Sequence, residues 1–161
     1  MDFITDLPPT GSSGARYLWV IVDRLTKAVT LEVMDTMEAE ACARRFLWCH
    51  FRYHGMPKSI VSDRGSNWTS RFWRAFCEAA GIEQRLSTAY HPQTDGGPER
   101  TNQEIQAYLR AYLSYAQTDW GSFVPGAQLA LNNRESSAIG MSPFFLEHGY
   151  HVEPFQIVDE K

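Results

Sequence analysis

The sequence predicts an α/β domain built on a five-stranded mixed sheet, three antiparallel strands followed by parallel ones, with helices on its faces. Three observations carry this expectation. Three strand-like segments come first with no helical stretch between them, which favours an antiparallel meander. Two later strand-like segments are each preceded by a helical stretch, so they return through crossovers and run parallel. With 161 residues, of which 43% are hydrophobic, the chain is long enough for one packed core and too short for two.

Met1–Thr5 reads as a short strand ended by Leu7-Pro8-Pro9, and Thr10–Ala15 as a turn-rich loop. Tyr17–Asp23 is an unbroken apolar run of the kind found in a strand buried on both faces. Ala28–Met34 is rich in β-branched residues and partly alternating, a strand beside it. Met37–His54 repeats apolar residues at helical spacing, with Gly55 as the stop. Lys58–Asp63 is a fourth strand. Thr69 is the expected cap of a helix through Ala80, with Gly81 ending it. Ile82–Leu86 is a weaker fifth strand, and Ser87–Gly97 a loop containing Pro92, Gly96 and Gly97. Pro98 suits the first turn of a helix reaching about Gln117, because a missing N–H has no intrahelical partner there. Asp119–Asn133, with Pro125 as a candidate interruption, and a short helix within Ser142–Tyr150 complete the chain.

Composition narrows the function classes. No apolar run approaches the roughly 18 residues of a membrane span. The three cysteines, Cys42, Cys49 and Cys77, form no C-x-x-C pair, which points away from a disulfide framework or ribbon-type zinc site and toward a reducing compartment. Net charge is −4, yet from Ala41 to Cys77 seven basic residues face a single acid, Asp63. Such asymmetry fits a nucleic-acid face, and equally a solvated helical surface.

Individual acids are ambiguous. Asp63 ends an apolar strand beside Arg64 and Gly65, a good place for a hard-metal ligand and also for an acid that opens a turn. Glu99 falls in the first turn of its expected helix, where the helix dipole alone favours an acid. Glu99, Gln103, Gln106 and Arg110 form one polar stripe, while Ile105, Leu109, Tyr112 and Leu113 form the apolar stripe facing the core. Asp2 lies in the first strand. Asp23 ends the second strand and is its rival.

In combination they are more specific. Thirty-five residues separate Asp63 from Glu99. That spacing, with Met1-Asp2-Phe3-Ile4, Ile60-Val61-Ser62-Asp63-Arg64-Gly65-Ser66-Asn67, Tyr90-His91-Pro92-Gln93-Thr94-Asp95-Gly96, Glu99-Arg100-Thr101-Asn102-Gln103 and Met141-Ser142-Pro143-Phe144, resembles the catalytic core of retroviral and gypsy-type LTR-retrotransposon integrases. The resemblance runs along the whole chain. It implies an RNase H-like fold in one domain, residues 1–161, whose first strand is clipped at residue 1. The family's amino-terminal zinc domain and carboxy-terminal DNA-binding domain are then absent, and Cys49, His50 and His54, inside a helix, do not replace that zinc site.

The resemblance further implies DNA 3′-end processing and strand transfer with two Mg²⁺ or Mn²⁺ ions. Asp2, Asp63 and Glu99 are the implied catalytic and metal-binding residues, and Asp23 is peripheral. Arg64, Tyr90, Gln93, Arg100, Gln103 and Gln106 are implied DNA contacts. Expected partners are element-end and target DNA and further copies of the chain. The expected location is the nucleus, with cytoplasmic particles as a second site. The sequence departs from the family at Gly96-Gly97-Pro98, where relatives commonly carry Gly-Gln-Thr. That change and the clipped start support a rival from another class, a catalytically silent domain that only binds DNA or dimerises.

Overall fold

The structure is a computed structural model that describes residues 1–87, 92–112 and 119–152, with side chains for 1–87, 101–111 and 119–152. Strands β1 (Asp2–Ile4), β2 (Tyr17–Val22) and β3 (Val29–Met34) form an antiparallel meander in that order. Strands β4 (Ser59–Ser62) and β5 (Glu83–Leu86) pair in parallel. The expected α/β class and both strand directions hold.

The expected single sheet takes the form of two ladders among the described residues, one of three strands and one of two. They meet where the Met1 amino group donates to the Val61 carbonyl at 2.7 Å. The physical reason is length: β1 has only three residues, so its edge away from β2 is too short to set up a second ladder.

Alternation along β2 explains its unbroken apolar run. Trp19 and Ile21 point to one face and Leu18 and Val20 to the other, so each face needs apolar side chains. On the first face lie α1 (Ala39–Phe46), α3 (Ser66–Thr69) and α4 (Arg71–Ala79), which contribute Phe46, Trp68, Trp73 and Cys77. Trp19 and Trp68 stack there with ring centroids 5.7 Å apart, and Phe3 stacks on both at 5.6 Å. On the second face lie α5 (Pro92–Tyr112) and α6 (Trp120–Asn133), which bury Ile105, Leu109, Trp120, Val124 and Ala127. The protein is therefore a helix–sheet–helix sandwich, closed by the short α7 (Pro143–His148), whose Ser142 cap accepts a bond from Phe145 N.

Four local expectations need correction. The helix expected over Met37–His54 begins at Ala39 and changes to π geometry over Leu47–Phe51 before a last turn, α2 (Arg52–His54). Gly55 still ends it, at a φ of 75° that suits glycine. The cap of α4 is Ser70, whose Oγ accepts from Trp73 N at 3.1 Å. Thr69 instead belongs to α3 and donates its hydroxyl to the Gly65 carbonyl. Pro125 does not interrupt α6, which runs through it. Finally, α5 starts at Pro92, six residues before Pro98. Both prolines satisfy the same rule for a helix start, and local propensity has no means of choosing between them. Gly96, Gly97 and Pro98 are thus helical. Residues 88–91 of the expected loop, and 113–117 of the expected helix end, lie outside the described residues.

Candidate functional site

The site lies at the junction of the two ladders. Asp2 pairs opposite Val20 in the β1–β2 register and so points to the face covered by α5. Its Oδ1 accepts the Phe3 N–H at 2.8 Å, and its Oδ2 accepts from the Asn102 amide at 2.9 Å. Two donors on separate oxygens hold this half-buried carboxylate in one orientation. Asp63 directly follows β4 and is exposed. Since Val61, two residues earlier, accepts the bond from Met1, the chain brings the starts of the Asp2 and Asp63 segments side by side.

The turn after β4 shapes the second carboxylate. Asp63 Oδ1 accepts the Gly65 N–H at 3.0 Å. Gly65 has an ordinary backbone conformation, φ −54° and ψ 151°, so it is not selected for a left-handed turn. Space selects it: an added Cβ would lie 2.6 Å from Asn67 Oδ1 and 3.1 Å from Asp63 Oδ1. Any larger residue would push on the carboxylate.

Position 99 lies on α5 one turn before Asn102, about 4.5 Å along the axis and on the same helical face. The helix segment carrying Glu99 therefore approaches the same junction. The carboxylate of Glu99 is outside the described residues. Among the described residues no three His, Cys, Asp or Glu side chains group to hold a metal. What is described is two carboxylates and an amide, all hard oxygen donors of the type that suits Mg²⁺ or Mn²⁺, with one buried oxygen, Asn102 Oδ1, lacking any hydrogen-bond partner. Carboxylates brought together repel unless a cation is shared between them. The residues present fit such an ion.

Asp23 is arranged differently. Its Oδ1 accepts from Leu25 N, Thr26 N and the Thr26 hydroxyl at 2.9, 2.7 and 3.1 Å. Burial opposes its ionisation, but these bonds outweigh burial and hold the carboxyl below its ordinary range. It organises the β2–β3 turn and has no part in the junction. Of the helix groups, Cys49 is buried, His50 half-buried and His54 exposed. His50 stacks between Phe46 and His54, at 5.0 and 4.9 Å, and burial pushes the Cys49 thiol up to about 12.

The sequence-derived DNA contacts are unevenly placed. Arg64 is exposed beside Asp63. On α5, Gln103 is exposed and Gln106 accepts from Arg110 at 3.0 Å, so the polar stripe faces outward while Ile105 and Leu109 are buried. Tyr90 lies outside the described residues, as do the side chains of Gln93, Arg100 and Tyr112; Leu113 is outside as well. Asn102 escaped the sequence reading as a site residue, and Gly65 entered it only as the turn glycine beside Asp63, without the steric role seen here. The signal for Asn102 was available, since it stands three residues after Glu99 and so shares its helical face.

Comparison with known proteins adds an independent line. Residues 1–92 match the Integrase core domain family. The Tf2-3 and Tf2-4 transposon polyproteins of Schizosaccharomyces pombe are each 38% identical over 151 residues, 93% of this chain. The chain spans 11% of the length of those polyproteins. Among solved structures, an intasome of simian T-cell lymphotropic virus is similar with a TM-score of 0.74 at 18% identity, covering 99% of this chain and 58% of that one. The HTLV-2 integrase catalytic core domain in complex with magnesium gives 0.67 at 21% identity, covering 90% of this chain and all of that one. At those identities the two structures speak to the fold.

Proposed function

This chain belongs to the Integrase core domain family, and from that premise we propose that it carries out divalent-metal-dependent phosphoryl transfer on DNA, processing 3′ ends and joining them to a target. The fold is the RNase H-like fold of integrase cores. The observation that carries the reading is the convergence of Asp2, Asp63 and the Glu99 turn of α5 on one junction between ladders. On this reading Asp2, Asp63 and Glu99 would hold the cations. Mg²⁺ or Mn²⁺ there supplies Lewis-acid stabilisation of charge on the attacking and leaving oxygens. Asp2 enters the reaction already oriented by Phe3 N–H and Asn102, so no reorganisation is needed when charge develops. Gly65 leaves room for the Asp63 carboxylate. Arg64 and Arg100 contact phosphate, and Tyr90, Gln93, Gln103 and Gln106 position the DNA ends.

The partners on this reading are element-end DNA, target DNA and further copies of the chain, and the location is the nucleus. The magnesium and the trimeric form of the HTLV-2 core domain structure support the ion and the self-association. The test is Mn²⁺-dependent resolution of a branched DNA substrate. This reaction asks least of other domains, because one molecule holds all the reacting groups in proximity. Asp63→Asn should abolish it with the fold intact, and Asp23→Asn should leave it within about threefold of wild type, a cost of roughly 0.7 kcal/mol. Activity that survives Asp63→Asn and fails with Asp23→Asn would overturn the assignment.

A further inference from the structure

Strand pairing does not by itself hold Asp2 and Asp63 at a fixed separation. Asp2 belongs to the three-stranded ladder and Asp63 follows the two-stranded one, and among the described residues no strand joins the two. Ring packing spans the gap. Phe3 follows Asp2 on β1 and so points to the opposite face. There it meets Trp19 of β2 and Trp68 of α3, each with ring centroids 5.6 Å away and with interplanar angles of 14° and 15°. Trp19 and Trp68 stack on each other at 5.7 Å, so each ring touches the other two, and both indoles are buried. Trp68 is in turn tied to the Asp63 turn and to β5. Its N–H donates to the Gly65 carbonyl at 3.1 Å, and its own carbonyl accepts from the Gln84 amide at 2.6 Å. A continuous chain of contacts therefore runs from Asp2 through the Phe3 N–H and ring to Trp68, and from Trp68 through Gly65 to Asp63.

We propose that the Phe3–Trp19–Trp68 ring cluster sets the separation of the Asp2 and Asp63 carboxylates, and with it the preference of the site for a small divalent cation of strict geometry. Offset-stacked rings have preferred distances and angles, and a close-packed interior resists sliding. Leucine in place of Phe3 fills much of the space but presents no flat face to either indole, which leaves the ladders freer to shift against each other. Mg²⁺ demands near-ideal octahedral geometry with oxygens at about 2.0–2.1 Å, whereas Ca²⁺ accepts about 2.3–2.6 Å and a flexible shell. A loosened separation therefore penalises Mg²⁺ more than Ca²⁺. Phe3 touches no ion. It is a positioning residue that acts through Asp2 on one side and Trp68 on the other. This rests on the carboxylate reading above and specifies what fixes the geometry of two of its ligands.

The test uses the full chain with Mg²⁺ alone or Ca²⁺ alone, and reads each affinity from the rise of the unfolding midpoint with metal concentration. Phe3→Leu should weaken Mg²⁺ binding about tenfold, the lower end of the usual effect of residues that orient metal ligands. Ca²⁺ binding should weaken by less than about threefold, because its shell adapts. A purely structural loss lowers the metal-free midpoint and leaves the ratio of the two affinities at its wild-type value. Phe3→Met, a flexible side chain that adapts to irregular space, reads the same ratio where the leucine variant folds poorly. An unchanged ratio, beside an Asp63→Asn chain that has lost its response to metal, overturns the role of the ring cluster alone. A wild-type response in Asp63→Asn, or no response in the wild type, overturns the carboxylate reading on which it rests.

Discussion

Asp23 and Asp63 each follow the end of an apolar strand, and their surroundings divide them. Asp23 accepts three bonds from its own turn, whereas Asp63 accepts one, from Gly65, and remains exposed. Three local donors on one oxygen tie the Asp23 carboxylate to its own turn, whereas Asp63, with one such donor among the described residues, keeps more lone pairs free at a strand end. His50 shows the same dependence on surroundings. Burial, and then the neighbouring His54, hold its pKa below the ordinary 6.5, against a weaker pull from Asp23. The unfolded chain therefore takes up the proton first as pH falls. The sign follows from linkage: His50 contributes stability fully present above about pH 6.5 and lost as pH drops through the folded value. The unfolding midpoint, followed from pH 8 to pH 5, should fall in wild type. In His50→Phe, which keeps a ring on Phe46, the fall should be shallower over that window.

Among elements, β3 has an unusual outer edge. Its even-numbered residues face β2, as the Arg16 N–H bond to the Met34 carbonyl shows, so the groups of Val29 and Leu31 point away from the sheet. An unpaired edge invites association with other strands. Here α6 supplies the partners: Asn132 accepts from Val29 N at 2.7 Å and donates to the Val29 carbonyl at 2.8 Å, and Gln128 accepts from Leu31 N at 2.8 Å. Spaced four apart on a helix, the two amides imitate a neighbouring strand. Asn132→Ala leaves a donor and an acceptor of a buried residue without partners, and should lower stability by about 1–3 kcal/mol. Denaturant unfolding measures this directly, and a shift below about 0.5 kcal/mol would show that water replaces the amide. The start of α6 is anchored too, by Trp120 Nε1 on the Pro8 carbonyl and by Gly121, where a Cβ would meet Thr10 at 2.9 Å.

At the scale of the molecule, the basic segment of the sequence does not become one basic face. Arg44 pairs with Glu40, Arg45 with Glu32, and Arg74 donates to the Thr69 carbonyl. Arg52 lies over the Trp48 and Tyr53 rings. Arg64, like Lys58 and Arg71, is exposed and forms no ion pair among the described residues, and of the three it is the one beside Asp63. Affinity for DNA should then depend on a few local phosphate contacts. Arg64→Ala should weaken binding regardless of DNA sequence and reduce the slope of log K against log salt by about 1, while Arg44→Ala changes neither. Titrations of a labelled duplex at several salt concentrations distinguish the two, and equal effects of both substitutions would restore the extended basic face.

The sequence by itself determined the element order, the two-faced burial of Tyr17–Val22, the outward polar stripe of α5 and the family, because each rests on periodicity or on motif spacing that local chemistry imposes. The tertiary structure decided the rest. Thr69 and Ser70 are both sound caps, and Pro92 and Pro98 both sound starts; only packing along the whole helix selects one of each pair. The π turn over Leu47–Phe51 was hidden, since apolar residues lie on both its buried and its exposed sides. The clamp of Asn102 on Asp2 joins residues a hundred positions apart. No local pattern encodes that contact, because it exists only once β1 pairs with β2 and α5 settles on the face that Ile105 and Leu109 bury.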